Sequence, residues 1–421
     1  MKAEEGGCTR ILRRGFCDLT AMKRFSMALL TSAINWGCSG DSPPDPATYH
    51  QTDSDGVTIV LSTRPNWPET GGWQLAAEPT LRIGEVEGAA EYLFSRVADT
   101  RMIHDTVILV ADGRSNELRF FDTSGRFLYS VGREGEGPGE FEYLFGLPNC
   151  YGDSIVAADI SDRLSIFTNS GEFVRVVQAY SSPLRQISPY QFACGGEGLT
   201  VVNGWGSAMT DPEDRFFRSF SHVYIGSVDG GAQVDLGEFI ASERWGTQSG
   251  GVITGSRPHP FGRQTRLAVA EGKVYVGTSE SHEVRVYDPD GVLQRLIRWE
   301  GDDLTLNSDV ADEYFEFEIQ RAPPGARPGM RREFGDMTLP GTRPAYSELM
   351  VDAVGNLWVW EFDPMRDATQ RWLVFGREGV WLGRVTFPPR HTVTEILDDK
   401  VVAVATDDLG VETVVVYELI K

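Results

Sequence analysis

The stretch Val131-Gly-Arg-Glu-Gly-Glu-Gly-Pro-Gly-Glu-Phe141 constrains the fold more than any other part of the chain. Four glycines and a proline between Gly132 and Gly139 exclude a helix interior. The alternating run Arg126-Phe-Leu-Tyr-Ser-Val131 precedes it, and Phe141-Glu-Tyr-Leu-Phe145 follows as a second strand pattern. The segment therefore reads as a tight crossing that carries the chain from the outer strand of one small sheet to the inner strand of the next.

Around this crossing a unit recurs: an apolar strand, a polar turn, an alternating strand, then a glycine turn and an outer strand. Val107–Asp112, Glu117–Asp122 and Gly125 make one copy; Ile155–Asp159, Arg163–Phe167 and Gly171 a second; Val274–Gly277, Glu283–Asp288 and Gly291 a third. Two looser copies begin at Leu199 and Asn356, and the last, Val401–Ala405 with Glu412–Tyr417, ends at Lys421 without an outer strand. Gly56-Val-Thr-Ile-Val-Leu-Ser62 is the expected donor of that missing strand, because a ring of sheets loses its free edges when one sheet mixes both ends of the chain. The count is then six blades, with seven as the alternative. Between the last two glycine turns, Asn307 to Arg321 carries a cap, early acids and a late base, so a helix is expected there, with a second starting near Pro328. We place this helical insertion at about 305–340.

The series of strand–Asp–strand–Gly units, the Gly135-Glu-Gly-Pro-Gly-Glu-Phe141 crossing and Val351-Asp-Ala-Val-Gly-Asn-Leu-Trp-Val359 resemble the bacterial six-bladed beta-propellers with repeats of the NHL kind. The resemblance covers roughly residues 90 to 420. It implies an all-β ring of four-stranded antiparallel blades over 56–421; it implies function poorly, since propellers host binding modules, lactonases and lyases alike.

The first 21 residues have no period. Met22-Lys-Arg24 then opens a basic segment, and Phe25 to Trp36 is a short apolar run, too short to span a bilayer. Gly37-Cys38-Ser39 follows, which resembles a bacterial lipoprotein signal with Cys38 as the lipid-bearing residue, although Asn35 and Trp36 depart from that pattern. An ordinary secretion signal is the alternative. We read 1–38 as an over-extended start, with Met22 the candidate true start, plus a signal, and 39–55 as a flexible tether. The expected location is the periplasm or outer membrane.

Thirty-nine basic residues against 61 acidic ones leave a net charge of −22, which disfavours nucleic acid and anionic membrane surfaces as partners. No cofactor is called for, calcium being the one such acidity admits. Gly135-x-Gly-x-Gly139 is not a phosphate loop, because a strand rather than a helix follows. Asp112 and Asp159 share one place in their units and read as turn caps. No histidine pair has the spacing of a zinc motif; at most His104, His391 and His259 approach the axis. No Gly-x-Ser-x-Gly elbow is present. Cys150 and Cys194 each lie five residues before the second strand of adjacent units, so a disulfide between them is one reading and two buried thiols the other.

The loop face would gather Phe141, Phe261, Arg263, Tyr346, Arg390 and His391, joined by Trp205, Arg163 and His282. Arg257-Pro-His-Pro-Phe-Gly-Arg263 combines cations, an aromatic ring and rigid prolines. We take Arg263, His259, Phe261, Tyr346, His391 and Trp205 as candidate ligand-binding residues. The expected function is a monomeric cell-envelope binding or scaffold module for a peptide, glycan or protein partner. The alternative is a metal-dependent lactonase-type hydrolase or lyase working in the central channel.

Overall fold

The computed structural model describes residues 48–421 apart from 69–70, 161–162, 179–188, 197, 205–206, 210–214, 231–233, 250–251 and 366–368. Cys38, the apolar run Phe25–Trp36 and Trp205 therefore lie outside the described residues.

Six sheets, antiparallel except where one early strand is added to the fourth blade, follow one another along the chain. Blade 1 runs from the inner strand Val97–Ile103 to the outer strand Phe127–Val131, and blade 2 from Leu144–Gly146 to Phe173–Gln178. Blade 3 is the longest, with strands Phe216–Ser227 and Val234–Ser249 and an extra outermost strand, Val252–Pro258. Blade 4 starts at Arg266–Ala270, blade 5 at Tyr346–Val351 and blade 6 at His391–Ile396. The fold is a six-bladed beta-propeller.

The core is divided among the junctions between blades. Leu109, Leu118 and Phe120 of blade 1 pack on Phe141, Ile155 and Phe167 of blade 2; Trp358 and Trp372 of blade 5 pack on Ile396, Val401 and Leu419 of blade 6. Each such side chain contributes roughly 1.5–3 kcal/mol by burial, so the ring is held evenly rather than at one centre. The crossing works as a spacer for one junction. Gly132 has φ +87°, and a Cβ there would lie 2.6 Å from the Phe141 ring, so only glycine lets that ring fill the gap. The strand expected from Phe141 to Phe145 shrinks to Leu144–Gly146, because Phe141 is spent on packing and Asp159 binds the amides of Glu142 and Tyr143 instead of a ladder partner.

Ring closure differs from expectation. Val57–Ser62 does not complete blade 6; it lies parallel to Leu293–Trp299 on the outside of blade 4. Tyr49–Ser54, expected within the flexible tether, pairs with it as a hairpin. The chain then straps blade 5, where Asn66 and Trp67 donate to the carbonyls of Trp381 and Leu382 at 2.9 and 2.6 Å. Trp67 lies so close to Gly383 that a Cβ there would sit 2.0 Å from the indole. Only then do Gln74–Leu75 and Leu81–Ile83 pair with Glu412–Ile420 of blade 6. Blade 6 therefore does join the C-terminal strand to strands from earlier in the chain, but the closing strands are two short ones. The nine-residue strand Glu412–Ile420 is long enough to hold both.

The insertion holds two helices, α1 (Ser308–Arg321) and α2 (Arg327–Gly335). Asn307 Oδ1 accepts the Val310 amide at 3.0 Å, Asp309 sits in the first turn and Arg321 in the last. Pro328 occupies the first turn of α2, where its missing N–H costs nothing. Ala311, Phe315 and Ile319 form one helical stripe and pack with Phe334 on Trp245 and Phe261, a second small core that docks the helices on blade 3. Among the described residues no helix is long and apolar enough to cross a membrane.

Candidate functional site: the central channel

The inner strands surround a cavity of about 1830 Å³ to which all six blades contribute, and α1 covers part of one mouth. Blades 1, 2, 3, 5 and 6 each carry a bulge in the inner strand. A bulge re-aims the following side chain. The residues after three of them are Asp99, Glu348 and Glu395, and all three line the cavity. Ten acidic residues line the cavity against six arginines, so it shares the acidity of the whole chain.

Two of these carboxylates are latches between blades. Asp99 of blade 1 accepts the amide of Leu147 in blade 2 at 2.8 Å, and Glu395 of blade 6 accepts the amide of Met102 in blade 1 at 2.7 Å. Arg101 stands beside them, with Nε 3.9 Å from Glu395 and Nη2 donating to Asn149 Oδ1 at 2.5 Å. Each acid keeps some accessible surface, yet its depth in the channel wall desolvates it. Burial pushes Asp99 up to about 6 and Glu395 up to about 7, against the amide bonds and Arg101, which act the other way. Across the ring, Arg266 of blade 4 pairs with Glu348 of blade 5 at 3.4 Å.

The residues expected to bind a ligand have mostly been taken up by packing. Phe261 is fully buried between Tyr314, Phe315 and Phe362, so it presents no face to a ligand; the gap between blade 3 and the helices needs its volume. Tyr346 is buried as well, its hydroxyl donating to the Glu283 carbonyl at 2.9 Å and accepting the Ser279 amide at 3.1 Å. His259 is buried, accepts the Phe261 amide at Nδ1 and faces the Thr338 carbonyl through Nε2 at 3.1 Å. That bonding makes Nε2 the protonated nitrogen of a neutral ring, and burial lowers the group to about 4. Arg263 is locked by Glu243, whose buried carboxylate also takes Arg218 at 2.7 Å. His391 alone of the set sits half-buried on an inner strand, held by Tyr417 Oη at 3.0 Å and the Pro389 carbonyl. His104 lies in an exposed turn of blade 1, beside Asn169, rather than near the axis.

Arg163 donates to the carbonyls of Glu136 and Glu140 and so braces the glycine crossing, and His282 packs on Trp299. Asp112 accepts the Arg114 amide at 2.9 Å and pairs with Arg119, which is the turn-capping role expected of it. Cys150 and Cys194 form a disulfide between blades 2 and 3, with alpha carbons 4.7 Å apart. Among the described residues no three His, Cys, Asp or Glu side chains form a group able to hold a metal ion.

A family described as DUF5128: 6-bladed beta-propeller matches residues 86–147. That span ends just past the crossing and covers blade 1 with its entry into blade 2. No curated protein matches the chain in sequence. Among solved structures, the chain is similar to a Bacteroides fragilis protein named "Putative exported protein", at 14% identity over 86% of this chain and 99% of that one, with a TM-score of 0.46. It is also similar to a DUF4221 family member from Bacteroides vulgatus (11% identity, 83% and 98% covered, TM-score 0.45) and to virginiamycin B lyase from Staphylococcus aureus (9%, 84% and 96%, TM-score 0.37).

Proposed function

We propose that the protein is an exported propeller that binds a polar ligand in its central channel. The observation that carries this reading is the cavity itself. It is large, its walls come from rigid inner strands, and side chains of Asp99, Glu348, Thr392 and Glu395 line it. The expected loop-face site gives way to the channel because the loop-face aromatics are buried. Export is supported by the inter-blade disulfide, since such bonds persist in oxidising compartments. Lipid attachment at Cys38 and a monomeric state belong to the same reading; an envelope-bound protein with an acyl-modified Cys38 is the expected result of fractionation and mass spectrometry.

A second reading, an acid–base enzyme, is favoured by one observation. Asp99 and Glu395 are held near neutral in one cavity, as groups that exchange protons at physiological pH are. The metal-dependent form of that reading does not fit the described side chains.

The test is a thermal-shift ligand screen on the wild type and on Ser347→Trp. Ser347 is the bulge residue of blade 5 and lines the cavity, so an indole there intrudes on the channel from a partly exposed position. Ligands that stabilise the wild type and not the variant support channel binding. Ligands that stabilise both equally refute it.

A further inference from the structure

The mouth of the channel beneath α1 is built differently from its middle. Tyr314 and Glu318 stand four residues apart on α1, beside the buried stripe of Ala311, Phe315 and Ile319, and both line the cavity. Blade 5 contributes Trp360, Phe362 and Asp363 to the same cavity. The Tyr314 and Phe362 rings lie 5.3 and 6.2 Å from the same buried ring, Phe261, which fixes both in place. Both remain partly exposed, as does Trp360. Among the described residues the Glu318 carboxylate has no bond, and Asp363 accepts the Met365 amide alone, at 2.8 Å through Oδ1.

The pairing of fixed, partly open aromatic rings with carboxylates that accept and do not donate selects a ligand. It needs apolar C–H faces to lie on the rings and several hydroxyl donors for the acids. A phosphate or carboxylate is disfavoured, since acids outnumber arginines in the cavity and the α1 cation that lines it, Arg321, already lies over the Phe317 ring. A neutral sugar ring meets all three requirements. We propose that this roofed mouth is a saccharide subsite, with Tyr314, Trp360 and Phe362 as the apolar platform and Glu318 and Asp363 as hydroxyl acceptors. This rests on the channel-binding reading and specifies its ligand class. It also gives the helical insertion a role: α1 supplies one wall of the subsite.

The test is isothermal titration of the full chain with four neutral tetrasaccharides, of the chito-, cello-, xylo- and manno- series, and with decaproline and tri-lysine as controls. The expected result is that at least one tetrasaccharide binds with a Kd below about 1 mM. Tyr314→Ala should weaken it about tenfold, by loss of one aromatic contact. Because Tyr314 packs on Phe261, Glu318→Gln is the companion variant; it keeps the shape, replaces one acceptor oxygen by a donor, and should weaken binding about fivefold. No tetrasaccharide binding, or binding that neither variant changes, overturns the saccharide subsite. So does tighter binding of decaproline or tri-lysine that Tyr314→Ala abolishes. Ser347→Trp separates the two levels: if it abolishes tetrasaccharide binding that both mouth variants leave intact, the channel reading stands and the subsite falls.

Discussion

Glu395→Gln tests the physical account of the channel wall. Glu395 is raised from 4.5 to about 7 in the folded chain. Below pH 4.5 the carboxyl is neutral folded and unfolded, and its burial carries no ionic penalty. As pH rises towards 7 the unfolded chain ionises freely while the folded chain holds its proton, so stability falls; above 7 the full penalty stands. The rise from 4.5 to about 7 corresponds to about 3 kcal/mol. Glutamine keeps an oxygen to accept the Met102 amide and removes the charge. Arg101 loses its facing carboxylate, 3.9 Å away, so about 3 kcal/mol is the upper figure. The assay is urea denaturation of both proteins at pH 4.5, 6, 7.5 and 9. The variant should gain on the wild type steadily between pH 4.5 and 7.5 and hold that gain at pH 9. Asp99, raised from 3.8 to about 6, leaves both proteins a shared loss of stability from pH 4 to 6. Parallel curves for the two proteins would refute the assignment of a desolvated, ionisable Glu395.

Two more outcomes follow from bonds between elements. Replacing Cys150 and Cys194 together by Ser opens a link across 44 residues, for which chain entropy gives a loss of about 4 kcal/mol in urea titration; native thiol labelling of the wild type should find neither cysteine reactive. Glu243→Ala takes the buried carboxylate away from Arg218 and Arg263, which keep the more exposed Glu280 at 3.3 and 3.4 Å, and should cost about 1–3 kcal/mol, read as a lowered urea midpoint.

The ring was legible in the sequence because each blade's middle strands alternate or run apolar, and because Gly125, Gly171, Gly291 and Gly379 all take positive φ at equivalent turns. Asn307 marked α1 by its cap. The strap was not legible. Leu81–Ile83 has three residues, too few to show a period, while the strong pattern of Val57–Ser62 serves a parallel pairing that no local signal announces. The candidate site misled for a related reason. Phe261, Tyr346 and His259 read as ligand residues because they stood on the loop face among cations and rigid prolines; here Phe261 and His259 fill the joint between blade 3 and the helices, and Tyr346 fills the junction of blades 4 and 5. The acids that do line the channel had a weaker signal. Asp99 and Arg101 alternate along Val97–Ile103, which marks one face of an inner strand as charged, but the bulge that aims Asp99 is invisible in sequence.

The most direct measurement of channel binding is hydrogen exchange, read by mass spectrometry, with and without a ligand that stabilises the wild type. Binding in the channel should add protection in the inner strands Val97–Ile103, Tyr346–Val351 and His391–Ile396 and in α1. Protection confined to the outer strands Phe127–Val131 and Phe173–Gln178, or to the rim hairpin at Tyr49–Ser62, would contradict it.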